Sequence, residues 1–129
     1  MEFNDKNTLI LSLTLEKNID LTSNQVSYFL IAQYGGKEQF LIKEKDCIMI
    51  SVDGENHMFS TTYEPWVDTS DLGDYLIVVY LDVEKDYLYK IANAKNVKVY
   101  FNGEFDSILG TFSKENFLNF KKFLKQFDK

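Results

Sequence analysis

Leucines recur at positions 9, 11, 13 and 15 with increasingly polar residues between them, the period-two alternation of a half-buried strand. A polar break over residues 17–25 follows. The apolar run 26–34 then ends at Gly35 and Gly36, and residues 39–43 resume the pattern, which predicts a hairpin. Residues 47–52 lead into Asp53 and Gly54, a dipeptide suited to the positive φ angles of a tight turn, and residues 57–62 return from it. The first half therefore reads as an antiparallel meander.

Residues 63–74 hold the only proline and the only tryptophan together with several aspartates, and read as the longest irregular connection. Residues 75–81 (Tyr-Leu-Ile-Val-Val-Tyr-Leu) form the most continuous apolar run, as expected of a central strand covered on both faces. From Val83 the period changes. Val83, Tyr87 and Ile91 recur every four residues while Glu84, Lys85 and Lys90 face away, which predicts a helix with Asp82 as its N-cap. Val97, Val99 and Phe101 alternate as a strand, Asn102 and Gly103 suit a hairpin, and residues 104–112 return. Ser113 caps a closing helix whose phenylalanines at 117, 120, 123 and 127 share one face, with lysines crowding its C-terminal half. All six glycines fall in expected turns or loops. The fold class is α+β: a mainly antiparallel β-meander sheet of about six to eight strands with two helices packed on one face, forming a single domain over residues 1–129.

A chain of 129 residues with 45% hydrophobic composition can bury a real core. Its net charge is −6, and all 14 basic residues are lysine. Without arginine, the bidentate forks that read guanine and phosphate are missing, and an acidic chain is repelled by a polyanion, so no nucleic-acid partner is expected. One Cys and one His exclude a zinc knuckle, an iron–sulfur cluster and an internal disulfide framework, so no metal or cofactor is expected. No stretch approaches the roughly 20 apolar residues of a membrane helix. The N-terminal residues lack the pattern of a signal peptide, and the lone Cys47 lies among Ile48, Met49 and Ile50 as a buried thiol. A cytoplasmic protein is expected.

The C-terminal half carries a resemblance. The Lys-Ile-Ala-Asn-Ala-Lys run at 90–95, leading through Val97 and Val99 to Gly103, joins a helix to a strand. Phe112 and Ser113, with Glu115, Asn116, Phe117, Phe120 and Phe123, open and line the closing helix. Together they resemble the end of a group of small bacterial proteins of uncharacterised function. The resemblance implies the order meander, helix, hairpin, helix and a bacterial or phage source; it implies no catalytic motif.

His57 is the one conventional general base, and catalysis would need it within reach of Ser51, Ser60 or Cys47, with Glu55 or Asp53 as the carboxylate. Asp68, Asp71 and Asp74 could offer oxygens to Ca²⁺, but their spacing is not that of a calcium loop, and a solvated acidic loop is the simpler reading. Aromatic residues make up 16% of the chain. Tyrosine and tryptophan anchor interfaces because they bury large areas at small conformational-entropy cost. The expected site is therefore a binding surface of Tyr63, Trp66, Tyr75, Asp68 and Asp71, with no catalytic residue. The expected function is a non-enzymatic interaction module for a protein partner or a second copy, with an immunity or antitoxin-like role against a basic partner fitting the negative charge. A hydrolase-type enzyme using His57, or a small-molecule or glycan binder using Trp66 and Tyr63, is the alternative.

Overall fold

The computed structural model describes residues 1–3, 8–37, 40–69 and 73–127. Along the chain run β1 (Glu2–Phe3), β2 (Thr8–Ile19), β3 (Val26–Gly36), β4 (Ile48–Val52), β5 (Glu55–Phe59), β6 (Trp66–Thr69), β7 (Tyr75–Val83), α1 (Lys85–Ala92), β8 (Val97–Asn102), β9 (Ser107–Thr111) and α2 (Lys114–Phe127). Every pairing is antiparallel. The α+β class with helices packed on a sheet holds, and the strands divide between two sheets: five in the order β1-β9-β8-β4-β5 and four in the order β2-β3-β7-β6.

The division follows from side-chain parity. In β4 and β8 alternate residues are buried (Ile48, Ile50, Val52; Val97, Val99, Phe101), as they are in β3 (Leu30, Ala32, Tyr34) and β7 (Ile77, Val79, Leu81, Val83). These inner faces form one cluster with Leu88, Ile91 and Ala92 of α1 and Phe120 and Leu124 of α2. Both helices thus cover the inner side and share the core of both sheets. Gly110 of β9 marks a close approach between them: a Cβ there would stand 3.4 Å from Leu11 Cδ1 of β2 and would overlap the Met1 side chain.

Several local expectations change. Gly35 and Gly36 continue β3 and pair with β2 and β7, because the long partners on either side extend the ladder past them. The first hairpin is instead β2–β3, closed where Asp20 Oδ1 accepts the backbone N–H groups of Thr22 and Ser23. Gly110 is likewise a strand residue and no turn. The segment 63–74 is not wholly irregular: within it Trp66–Thr69 pairs along the free edge of β7. β7 also runs to Val83, because Tyr28 pairs with that residue, so α1 begins later and Asp82 is not its N-cap; Glu84 occupies that position without a side-chain cap. Ser113 caps α2 as expected. Its Oγ accepts the Asn116 N–H at 3.3 Å while Asn116 Oδ1 accepts the Ser113 N–H at 2.8 Å, a reciprocal capping box.

The β4–β5 turn is tied to the rest of the chain. Asp53 and Gly54 take φ of 49° and 89°, as a two-residue hairpin requires. Asp53 Oδ1 accepts the N–H groups of Lys95 and Asn96 at 2.9 and 2.8 Å, and its own N–H donates to Asn96 O, fixing the α1–β8 connection to the hairpin. Asp53→Ala loses both acceptor bonds and puts a residue without local side-chain bonding at positive φ, so unfolding in urea should show a loss of about 1–3 kcal/mol. Asp53→Asn keeps an acceptor oxygen and tolerates that φ, and should cost less than half as much. Equal costs for the two would remove the latch.

Candidate functional site

β3 and β7 pair through the middle of the four-stranded sheet, and their second parity points away from the core. The register lays this outer face out in rows across the strands. One row reads Glu16, Phe29, Asp82; the next Thr14, Ile31, Tyr80; the next Ser12, Gln33, Val78, Trp66; and the last described positions add Leu76 and Asp68. The centre is aliphatic and aromatic. Thr14, Ile31, Gln33, Trp66, Val78 and Tyr80 line a shallow depression of about 470 Å³.

The segment before β6 brings a further ring to this face. Thr62 N–H donates to Tyr80 O, and Thr62 Oγ1 accepts the Asp82 N–H, so the chain lies along β7. The Tyr63 ring then stands edge-on to Tyr80 at 5.9 Å and 6.3 Å from Phe29. Phe29 is 7% exposed for that reason, whereas Tyr63 and Trp66 keep 59% and 51% of their surface in water. Among the described residues, no helix or second sheet lies over these rings; the residues both helices bury belong to the inner core.

The sequence-predicted surface is therefore partly assembled and partly split. Tyr63, Trp66 and Asp68 share the outer face. Tyr75 has the opposite parity on β7, where with Phe40, Leu41, Pro65, Val67 and Ile77 it lines a separate cleft of about 350 Å³ whose rim carries Glu44, Glu64 and Glu104. Asp71 lies outside the described residues, as does the middle of the loop considered for Ca²⁺. Among the described residues no group of three or more His, Cys, Asp or Glu side chains is placed to hold a metal ion. Sequence reasoning missed Ile31, Val78 and Glu16, and assigned Asp82 to a helix cap. The available signal was the run 75–81 itself, whose second parity (Leu76, Val78, Tyr80) is apolar or aromatic and lies against Trp66 and Tyr63 instead of a further layer of the fold.

His57 sits elsewhere, on β5 at the edge of the five-stranded sheet, exposed and opposite Ile50. Its ring packs 4.5 Å from Phe59 and 5.3 Å from Tyr87 of α1. Glu55, two residues away, is taken up by Lys90, which holds its carboxyl below the usual range. Asp53 is engaged by the backbone of the α1–β8 connection. Ser60 Oγ accepts the Asp46 N–H, and Ser51 has the opposite parity to His57. Cys47 is fully buried, with its Sγ donating to Phe59 O. The groups named as catalytic partners are thus distributed among structural contacts.

Comparison with protein families, curated proteins and solved structures returned no match. Among the described residues no helix is long and apolar enough to cross a membrane.

Burial pushes the Cys47 thiol from 9.0 up to about 11, and burial, with Glu55 adding repulsion, pushes the Tyr87 hydroxyl from 10.0 up to about 12. Both groups hold their protons more tightly in the fold than in the unfolded chain. Their stabilising contribution is complete below pH 9 and falls as pH rises from there towards 12. The urea midpoint should therefore drop from pH 9 to 11, and Cys47→Ala, though less stable at pH 7, should show a shallower drop; an unchanged slope would clear the thiol of any part in it.

Proposed function

We propose that this chain is a non-enzymatic interaction module that docks a protein partner through the outer face of its four-stranded sheet, in a bacterial or phage cytoplasm and in an immunity or antitoxin-like role. The observation that carries the reading is the half-exposed Trp66 in one depression with Tyr80, Ile31 and Val78, and the exposed Tyr63 edge-on to the same Tyr80, on a sheet face with no covering layer among the described residues. Monomers keep such faces small, and contiguous rings on a flat sheet are the usual material of an interface core.

Magnitudes favour a macromolecular partner. Covering the exposed half of a tryptophan removes on the order of 125 Å² from water and contributes roughly 3 kcal/mol. Tyr63 adds a comparable area. An exposed ion pair at the margin contributes at most about 1 kcal/mol, so affinity resides in the rings.

The test replaces two rings that are each more than half exposed. A photo-crosslinking amino acid at position 66 should join the chain to one stoichiometric protein in an extract of its host. The double variant Trp66→Ala/Tyr63→Ala should weaken that complex at least tenfold, while Met58→Ala, exposed on the other sheet, should leave it intact. A second copy captured at position 66, with a sedimenting dimer that the double variant dissolves, would support the same face with a different occupant. A complex indifferent to the double variant would overturn the reading. So would a lasting monomer that crosslinks to nothing, or an emission response of Trp66 to oligosaccharides alone.

A further inference from the structure

The charges at the strand positions of this face are of one sign, while Lys45 and Glu64, off the strands, lie with Tyr63 at its margin. At the outer-face positions of β2, β3, β6 and β7 among the described residues, the ionisable side chains are Glu16, Asp68, Asp82 and the tyrosine Tyr80, and none is lysine. This is not forced by composition, because 14 lysines are distributed over the chain. Lys17, next to Glu16 on β2, has the opposite parity. The carboxylates are also arranged. Glu16 and Asp82 are cross-strand neighbours of Phe29 on its two sides, so their backbones lie about 10 Å apart, two strand spacings. Asp68 lies three rows away beside Leu76, at the far end of the apolar centre, about 20 Å along the strands at two residues per row.

From this placement we infer that the partner presents an apolar stripe bounded at both ends by lysine or arginine side chains, which the carboxylate pair flanking Phe29 and the carboxylate of Asp68 receive. The inference rests on the proposed use of this face and adds the partner's chemistry to it. Charge complementarity selects this occupant over a second copy: two copies meeting through this face would bring six like charges, three from each, to one interface. A cationic partner turns the same groups into attraction at the margin, where they steer encounter and fix register while the rings supply contact area.

The experiment uses Trp66 as its own reporter, since it is the only tryptophan in the chain. The probe is a tryptophan-free amphipathic peptide of leucine and lysine, and its control replaces every lysine with glutamate. The lysine peptide should shift Trp66 emission to the blue with saturable binding, and raising salt from 0.05 to 0.5 M should weaken it several-fold. Glu16→Gln/Asp68→Asn/Asp82→Asn should lower the affinity about tenfold. The triple Glu2→Gln/Asp106→Asn/Glu115→Gln makes the same change in net charge at exposed positions of β1, the β8–β9 turn and α2, and should leave the affinity within about twofold, since exposed charges more than a Debye length away are screened. Circular dichroism confirms that each variant is folded, and the single changes Asp68→Asn and Asp82→Asn give a graded loss if the triple is not.

Equal losses in the two triples would show attraction to net charge alone and overturn the inference. Equal binding of the glutamate peptide at Trp66 would also overturn it, while leaving the face intact as an interaction surface. Trp66 silent to both peptides would overturn the inference, and the crosslinking experiment would then decide separately whether the face binds a partner at all.

Discussion

The pairing of β3 with β7 is the constraint on which the rest of the molecule depends. Its register commits Leu30, Ala32, Ile77, Val79 and Leu81 to the core shared with the second sheet and the two helices. A strand has only two sides, so the same register sends Phe29, Ile31, Val78 and Tyr80 outward. A shift by one residue would exchange the two sets and leave Ala32 and Gln33 trading places, with an amide facing a dry core. The apolar outer face is thus held where it is by the burial of its opposite.

Much of this was legible in the amino-acid pattern and some was not, for identifiable reasons. Period-two alternation located β2 and β8, where one face is buried and the other wetter, and the Asp53-Gly54 dipeptide located the β4–β5 hairpin. Gly35 and Gly36 read as a turn because glycine usually punctuates, whereas long neighbours on both sides draw them into the ladder. Trp66–Thr69 was hidden because a four-residue edge strand is decided by its partner β7 and not by its own pattern. The allocation of strands to two sheets rests on contacts remote in sequence, such as Leu11 against Gly110, which no local window contains.

The candidate surface was half visible for a related reason. Trp66 stood out as the only tryptophan and Tyr63 as a ring close to it in sequence, and both do reach the same face, each against Tyr80. Tyr75 did not join them, since the side of the sheet on which a residue falls depends on parity within a strand whose start cannot be placed from an unbroken apolar run. That run also explains the mistaken expectation of two covered faces. Continuous hydrophobicity shows that both sides of β7 avoid water; it does not say that the chain itself covers both.

The acids complete the account. An uncovered apolar sheet face invites self-association, and natural sheets resist it by placing charge where a wrong neighbour would meet it. Glu16, Asp82 and Asp68 stand at the two ends of the apolar centre, and they cost the monomer little because they remain in water. Against a like-charged surface they are unfavourable at both ends at once; against a cationic one they are favourable in the same places. Rings that would bind many hydrophobic surfaces are made selective by margins that oppose all but one sign of charge, with attraction in the middle and discrimination at the ends. The absence of lysine from this parity of the strands then has a physical meaning that composition alone could not supply: an ammonium group at one of these strand positions would pair with the carboxylates and cancel the discrimination they provide.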